Sequence, residues 1–519
     1  MRIRFVEPRP PGHHVYDNAL LPRLGLPLMG ALLSERGHDV RCYCETLAPI
    51  DAADCLSADL IGISSTTSTQ PEADRLAGEF ESVGIPVVLG GSHVTFLPDE
   101  ALAHASFVVR GEGQRAICEL VDALERGGTF EGIRGLSWRG ADGSARHNPP
   151  RPPCSQRDFE SLPPPNLSLI AGHERMHVKP LMTQWGCPFD CEFCSVTAMF
   201  SRSVRYRRPD QVLDELAGLG AERVFFHDDI FVVNKERTKA LLRGMIERDL
   251  TPQWMAQVRA AETVFASKSA RVPDHELLRL MRDSGCRMVM VGFESVSEDT
   301  LKQMNKKQQV RDIVDSVELF HAHGIKVHGM FVVGADTDTI EQADRTVDFA
   351  RRHRIDTIQI MIETPFPGTR LYGRAEAEGR LLTADYSLYD AHHVVMRPAR
   401  VHPRDLQLAT LRAMERFYSV PAIVRSTIRD FAHHAPELVG VALRNRLPAR
   451  LPTLAGLALK RRWGEVVSDV RTSLPAHDWA VFEEAFGIAV LRAYGRRQVG
   501  MWWEQEHSRA HLAFLAAVP

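Results

Sequence analysis

The chain has 519 residues, of which 44% are hydrophobic and 25% are charged, and its formal net charge is -3. A chain of this length exceeds the size at which a single hydrophobic core keeps growing, so we expect two or three domains. The near balance of 63 basic and 66 acidic side chains argues against a nucleic-acid partner, which would favour a basic surplus. No long apolar run and no signal peptide is found, so we expect a cytoplasmic protein.

The first 113 residues predict an open α/β domain. Short apolar runs alternate with helix-length intervals, a pattern typical of a parallel sheet wrapped by helices. The runs are 3–6, 40–43, 60–64, 87–89 and 107–109. Ligands bind at the carboxyl ends of such strands, although turn formation explains the same small polar residues equally well. The candidate ligand contacts are Ser64, Thr66, Gly90, Gly91, His93, Gly111 and Glu112.

Three of the nine cysteines, Cys187, Cys191 and Cys194, lie within eight residues in the spacing CxxxCxxC. Three thiolates bind three irons of a 4Fe-4S cubane and leave the fourth iron open. The open iron could chelate S-adenosylmethionine (SAM), which an electron from the cluster then cleaves. A structural zinc site is the alternative, but it usually needs a fourth local Cys or His, and the next cysteine is Cys286.

Six strand-like runs, each followed by a helix-length interval, surround this motif. They are 178–183, 224–227, 254–258, 287–293, 326–333 and 357–363. Six βα units are fewer than the eight of a closed barrel, so the pattern predicts a partial barrel with its function at the carboxyl ends of the strands. Those ends nominate Asp228, Asp229, Arg259, Glu294 and Ser295.

Each of these residues has a chemical reason to contact SAM. The adjacent carboxylates of Asp228 and Asp229 need a cation or hydrogen-bond donors, and the α-ammonium of SAM is a candidate. Alternatively, Asp229 caps the following helix. Arg259 suits the carboxylate of SAM but could also face solvent. Glu294 and Ser295 suit the ribose hydroxyls.

The order of these motifs resembles that of the B12-dependent (cobalamin-binding) radical SAM enzymes. The resemblance spans about residues 1–375 and implies that Phe193 lies against the adenine of SAM. It also implies cobalamin bound without a lower histidine ligand, since Asp-x-His-x-x-Gly does not occur, and an external electron donor such as a flavodoxin or ferredoxin. The segments that carry it are Leu24–Pro27, Gly62–Ser64, Gly90–Thr95, Val109–Gly113, Gly186–Cys194, Gly292–Ser295 and Glu363–Thr369.

We therefore predict an α/β protein of four parts. A doubly wound, Rossmann-like cobalamin-binding domain (1–130) and a connector (131–172) precede a partial (β/α)6 radical SAM barrel (173–375) and a mainly helical C-terminal domain (376–519). A basic stretch from Arg444 to Trp463 fits a solvated helical cap, which we favour, or a peripheral membrane contact. His392 and His393 are interpreted as surface residues.

The resemblance also guides the functional hypothesis. It favours methylation of an unactivated carbon of a small-molecule or lipid-like biosynthetic intermediate through a 5'-deoxyadenosyl radical, because methylation is the commonest outcome in the family. The alternatives are a radical cyclisation, rearrangement or oxidation with the same cofactors, and a non-catalytic cobalamin or iron-sulfur sensor. The sequence does not identify the substrate.

Overall fold

A computed structural model describes residues 1–10, 20–428 and 476–518 of the chain. It contains two compact units, one formed by Met1–Thr410 with Gln505–Pro519 and the other by Leu411–Glu504. The basic stretch from Arg444 to Trp463 lies outside the described residues, so both interpretations of it stay predictions. Among the helices that are described, none is long and apolar enough to cross a membrane.

Seven strands form the front sheet of the first unit. They are β1 (Arg2–Glu7), β2 (Asp39–Cys44), β3 (Leu60–Ser65), β4 (Val87–Gly91), β5 (Phe107–Val109), β6 (Leu136–Arg139) and β7 (Ala145–His147). Their order is β2-β1-β3-β4-β5-β6-β7, and the first five are parallel. The five predicted strands are confirmed. The order of the strands reverses at β1, and such a reversal opens a crevice at the carboxyl edge of the sheet.

Helices cover both faces of the front sheet, as the predicted doubly wound fold requires. Phe5 on one face packs in the same core as Leu33 and Ile117, whereas Val6 on the other face packs in a core with Leu76. Alternate residues of one strand therefore serve two cores. The helices of this part are α1 (Gly25–Ser34), α2 (Ala52–Leu56), α3 (Gln70–Ser82), α4 (Ser92–Phe96), α5 (Pro98–Leu102), α6 (Gln114–Arg126) and α7 (Gln156–Glu160).

Part of the predicted connector belongs to the front sheet. β6 and β7 form an antiparallel hairpin, and β6 pairs with β5 so that Trp138 lies opposite Phe107. The hairpin extends the sheet beyond its last parallel strand, and the buried Trp138 adds to the same core as Phe5.

A second large sheet contains six parallel strands in the order β8-β11-β12-β15-β16-β17, which confirms the six predicted strands of the partial barrel. Two short antiparallel pairs, β9 with β10 and β13 with β14, lie beside it. The bounds are β8 (Lys179–Leu181), β9 (Gln184–Trp185), β10 (Arg205–Tyr206), β11 (Arg223–Phe226), β12 (Gln253–Val258), β13 (Phe265–Ser267), β14 (Val272–Pro273), β15 (Cys286–Glu294), β16 (Lys326–Val333) and β17 (Thr357–Ile362).

The remaining helices lie between the strands of this sheet in the chain or make up the mainly helical C-terminal region. They are α8 (Ser195–Phe200), α9 (Pro209–Leu219), α10 (Lys235–Glu247), α11 (Ala260–Val264), α12 (His275–Asp283), α13 (Glu298–Gln303), α14 (Val310–Ala322), α15 (Gln342–Arg352), α16 (Arg370–Ala377), α17 (Pro403–Phe417), α18 (Ala476–Glu504) and α19 (Glu506–Ala516). α19 returns to the first unit, where the His511 ring lies 2.9 Å from the Val394 carbonyl oxygen.

We predict that Gly91 is essential to the alignment of β3 and β4. Its φ of +116° favours glycine, and a Cβ there would lie 2.0 Å from the Ser65 carbonyl oxygen. Gly84 has a φ of +84° but open space around it. Gly84→Ala should lower the free energy of unfolding by about 1 kcal/mol, and Gly91→Ala by about 3 kcal/mol, because a strand must also move. Equal losses in chemical unfolding followed by circular dichroism would contradict this explanation.

Candidate cofactor site at the strand ends

A buried carboxylate holds the start of the cysteine loop. The Thr183 amide and hydroxyl each donate to Asp228 at 2.7 Å, and the Gln184 amide donates to it at 3.2 Å. Asp228 is fully buried, and this burial raises its pKa to about 7. Protein donors satisfy both carboxylate oxygens, so Asp228 does not need the cation that the sequence suggested.

Asp229 holds the next residue of the loop. Its carboxylate accepts a 3.0 Å hydrogen bond from the Gly186 amide. Gly186 has a φ of +88°, and a Cβ there would lie 2.2 Å from the Ser203 carbonyl oxygen, so this position requires glycine. The alternative that Asp229 caps the following helix is wrong, because the side chain of Asn234 caps α10.

The middle of the loop is held from two other sides. The Asn305 side chain donates to the Asp190 carbonyl oxygen at 2.5 Å, and the Glu192 amide donates to the Met304 carbonyl oxygen at 3.1 Å. Arg370, at the start of α16, forms a 2.8 Å ion pair with the Asp190 carboxylate. The loop is therefore fixed in the region of all three cysteines.

The three thiols are half-buried and unpaired by disulfides. Burial raises the pKa of Cys187, and it raises that of Cys194 to about 12, so these thiols need a metal to become thiolates near neutral pH. Among the described residues, no three His, Cys, Asp or Glu side chains converge on a site for a single metal ion. In a cubane each thiolate binds a different iron.

Arg259 lies beside this loop and is only 5% exposed, so the alternative that it faces solvent is wrong. Its guanidinium carbon lies 3.8 Å from the centroid of the Phe189 ring, and one terminal nitrogen lies 3.8 Å from the Cys191 sulfur. The other terminal nitrogen donates to the Lys306 carbonyl oxygen. A cation next to a thiol stabilises its thiolate form, so the donor set fits an iron-sulfur cluster.

Glu294 and Ser295, at the end of β15 and directly after it, lie at the same edge of the barrel as the loop aromatic Phe193. Glu294 forms a buried ion pair with Lys306, and the Ser295 hydroxyl accepts a 3.1 Å hydrogen bond from Gln342. Phe193 is partly buried against two hydrophobic clusters, one with Met304, Val332 and Ala335 and the other with Leu371, Ala375 and Met396. Their contacts with SAM stay predictions.

Sequence reasoning did not nominate a further buried carboxyl group at this edge, that of Glu363. Glu363 follows β17, and its pKa is raised to about 8 by burial and by the nearby carboxylates of Asp336 and Asp338. One of its carboxyl oxygens has no hydrogen-bond partner among the described residues. Its place at the end of a predicted strand was the available signal.

The nominated glycines of the front sheet meet at its carboxyl edge. Gly90 and Gly91 lie opposite Ser64 and Ser65, respectively, in the β3–β4 pairing. The Thr95 hydroxyl donates to the Gly91 carbonyl oxygen at 2.8 Å and accepts from the Gly111 amide at 2.9 Å. Thr66 forms a local capping interaction with Thr69. Thr66 therefore has a turn role. Gly90, Gly91 and Gly111 have no side chains, so they leave the edge narrow.

His93 is the residue at this edge that best fits a bound ligand. It is 1% exposed, and neither ring nitrogen has a hydrogen-bond partner among the described residues. Its ring lies edge-on to Tyr386 with the centroids 4.5 Å apart. Burial lowers its pKa to about 4, so the imidazole is neutral. A neutral, unpartnered imidazole beside Gly90 and Gly91 fits a large ligand with polar groups, such as cobalamin.

Glu112 has a structural partner that the sequence did not indicate. It forms a buried ion pair with Arg205 of β10 and accepts a 2.8 Å hydrogen bond from the Cys154 amide. Both charged side chains are about 5% exposed or less. Glu112 therefore links the front domain to the strand pair that closes the cysteine loop, and it is not open to the crevice.

The interpretation of His393 as a surface residue is wrong. It is 1% exposed, with one ring nitrogen 2.9 Å from the Asp390 carboxylate and the other 3.0 Å from the Ser508 hydroxyl. The buried Asp390 carboxylate has a lowered pKa, with His393 and His392 opposing the effect of burial. This relay joins the segment after the barrel to α19.

Comparison with known proteins identifies the family. A model described as the radical SAM superfamily matches residues 182–350, and one described as the B12 binding domain matches residues 18–121. An uncharacterized methyltransferase of Pyrococcus horikoshii is 31% identical over 443 residues, which are 82% of this chain and 93% of the relative. The chain belongs to the cobalamin-dependent radical SAM enzymes. Its cofactors are a 4Fe-4S cluster, SAM and cobalamin.

Two further likenesses agree with this assignment. Bacteriochlorophyllide d C-12(1)-methyltransferase of Chlorobaculum tepidum is 28% identical over 409 residues, covering 77% of this chain and 83% of the relative. The structure of the cobalamin-dependent radical enzyme OxsB with aqua-cobalamin and SAM superposes with a TM-score of 0.65 at 14% identity, over 99% of this chain and 83% of OxsB. OxsB thus shares the fold.

In this radical SAM enzyme, we predict that Asp228 is required for cluster binding. Asp228→Ala leaves three buried donors unpaired and should lower the free energy of unfolding by about 3 kcal/mol, with a matching loss of iron per chain after anaerobic reconstitution. Asp228→Asn keeps an oxygen for the two amides and should retain most of the iron. Full iron content in the alanine variant would contradict the assignment.

We also predict that the Glu112–Arg205 pair couples the two cofactor domains. Glu112→Gln leaves the Arg205 cation buried without compensation and should cost about 3 kcal/mol of stability. The double variant Glu112→Gln/Arg205→Gln should lose less than this single variant. Asp122→Asn, which breaks the exposed 3.1 Å pair with Arg36, is the control and should cost less than about 1 kcal/mol. A loss of stability in the double variant that equals the sum of the losses in Glu112→Gln and Arg205→Gln alone, measured by thermal unfolding, would refute the coupling.

Proposed function

We propose that this enzyme methylates an unactivated carbon of a small-molecule or lipid-like biosynthetic intermediate through a 5'-deoxyadenosyl radical. The observation that carries the proposal is the fixed three-cysteine loop at the carboxyl edge of the six-stranded sheet. Relatives that carry the name methyltransferase support the reaction type. The front sheet, with its neutral His93, supplies a place for the methyl carrier.

The cysteine loop has two tasks in this proposal. Cys187, Cys191 and Cys194 hold three irons, and Asp228 and Asp229 keep the start of the loop in place through the Thr183, Gln184 and Gly186 amides. Arg259 offsets the negative charge at Cys191. When bound, the cluster supplies the electron that cleaves SAM, and cobalamin supplies the methyl group.

Residues of β15 and the loop orient SAM. Phe193 would cover the adenine of bound SAM, and its packing against Met304 and Leu371 limits its rotation. Glu294, held by Lys306, and Ser295, held by Gln342, would contact the ribose hydroxyls of bound SAM. Packed partners reduce the entropy that each contact costs on binding.

The front edge positions cobalamin. Ser64, Gly90, Gly91 and Gly111 provide a narrow edge along which a flat ligand approaches the backbone. His93 would donate or accept a hydrogen bond with one of the polar groups of bound cobalamin, and Tyr386 fixes the orientation of its ring. In this proposal an external electron donor, such as a flavodoxin or ferredoxin, completes the system.

Anaerobic reconstitution with iron, sulfide, cobalamin, SAM and a reductant tests the proposal. We expect 5'-deoxyadenosine from the wild type with dithionite, and both S-adenosylhomocysteine and 5'-deoxyadenosine when a substrate is present. Cys191→Ala should abolish SAM cleavage and the visible absorbance of the cluster, whereas Cys154→Ala, outside the motif, should retain both.

Two results would contradict the proposal. SAM cleavage at the wild-type rate by Cys191→Ala would remove the basis for the cluster ligands. Formation of 5'-deoxyadenosine without any S-adenosylhomocysteine, during turnover of an identified substrate, would replace methylation with a radical cyclisation, rearrangement or oxidation.

A further inference from the structure

A short segment from beyond the barrel lies against the carboxyl edge of the front sheet. It runs from Asp385 to Val395 and is called here the covering segment. Its turn Tyr386–Leu388 packs against the turn Thr67–Thr69, which follows β3. The Tyr386 ring also lies edge-on to the buried His93, with the centroids 4.5 Å apart. A residue from beyond the barrel therefore contributes to the burial of His93.

The two ends of the covering segment are packed together. Tyr386 lies in one hydrophobic cluster with Leu388, Tyr389 and Val395. The centroids of the Tyr386 and Tyr389 rings are 5.3 Å apart, and the Tyr389 hydroxyl donates to the Thr383 carbonyl oxygen at 2.8 Å. Because closely packed side chains transmit displacements, the position of Tyr386 depends on the far end of the segment.

The C-terminal helix α19 binds that far end. The His393 ring lies between the Asp390 carboxylate, 2.9 Å from one nitrogen, and the Ser508 hydroxyl, 3.0 Å from the other. Ser508 is fully buried, so it has no access to water as a substitute partner. One turn later, the His511 ring donates to the Val394 carbonyl oxygen at 2.9 Å. Two buried hydrogen bonds thus join α19 to the covering segment.

We propose that α19 is a clamp for bound cobalamin, in which His393 and Ser508 are positioning residues that act through Tyr386. The clamp keeps the covering segment on the front edge, where cobalamin meets His93. Cobalamin can then leave only after the covering segment has moved, so the clamp lowers its dissociation rate. This inference rests on the proposed function only for the place of cobalamin at His93, and it does not depend on the reaction that follows.

Chemical labelling of His93 in the full chain without cobalamin tests the first step. Diethyl pyrocarbonate modifies neutral imidazoles that solvent reaches, and burial lowers the pKa of His93 to about 4. In the wild type, the exposed His104 should be labelled and His93 should not. Ser508→Ala removes one buried hydrogen bond, so it should raise the labelling rate of His93 about tenfold, measured by mass spectrometry of peptides.

Retention of cobalamin tests the second step. Radiolabelled cyanocobalamin is bound to the full chain with its reconstituted cluster and is then exchanged against an excess of unlabelled cyanocobalamin. Ser508→Ala and Tyr386→Ala should each raise the dissociation rate about tenfold. In the Tyr386→Ala background, Ser508→Ala should change this rate by less than about twofold, because the two residues belong to one clamp.

Two further variants complete the test. Ser82→Ala is the matched control, since it removes an exposed hydroxyl that bonds only the Glu79 carbonyl oxygen at the end of α3, and it should behave as wild type in both measurements. His511→Phe keeps a ring but loses the bond to the Val394 carbonyl oxygen. It should reproduce both effects of Ser508→Ala, and it replaces that variant if circular dichroism shows that Ser508→Ala does not fold.

Three results would overturn the clamp. They are wild-type labelling or dissociation rates in Ser508→Ala, an equal effect of Ser508→Ala with and without the Tyr386 ring, and a wild-type chain that does not retain cyanocobalamin. An equal effect in both backgrounds would assign Ser508 a purely structural role. Absence of S-adenosylhomocysteine during turnover would instead refute the proposed methylation, and both clamp measurements would keep their meaning.

Discussion

The site depends on one buried carboxylate, that of Asp228. Its oxygens accept hydrogen bonds from Thr183 and from the Gln184 amide, which join the end of β8 to the start of the cysteine loop. A buried carboxyl group with fewer donors would be costly, so the position of Asp228 after β11 constrains the path of the chain after β8. Asp229 and Gly186 continue this constraint into the loop. The spacing of three cysteines becomes a fixed site only because the loop begins at a defined point.

The same principle links the front domain to the barrel. Glu112 and Arg205 form a buried ion pair between the front sheet and β10. β10 in turn pairs with β9 at the start of the loop. Gly368, in the turn after β17, packs against the ring of Phe96 from α4. Tyr386, beyond the barrel, packs against His93 at the front edge. Three contacts from distant parts of the sequence thus bring the carboxyl edge of the front sheet and the barrel together.

Electrostatics differ between the inside and the outside of the site. Inside, burial keeps carboxyl groups such as Glu363 close to neutrality, and cations such as Arg259 and Lys306 lie beside specific partners. Outside, Lys302 and Lys307 have no partner among the described residues and face solvent. Buried charges fix geometry, whereas exposed charges act over longer distances and are screened by salt.

The sequence by itself determined the strands, the order of the two α/β parts and the cysteine motif, because apolar periodicity and ligand spacing are local properties of the chain. Only the tertiary structure decided the partners of Asp229, Glu112 and His393, each of which bonds a residue at least 43 positions away. Helix capping was a sound local expectation for Asp229. Its carboxylate instead accepts a hydrogen bond from the Gly186 amide. Long-range hydrogen bonds between buried groups depend on how strands and loops meet, and no local pattern encodes that meeting.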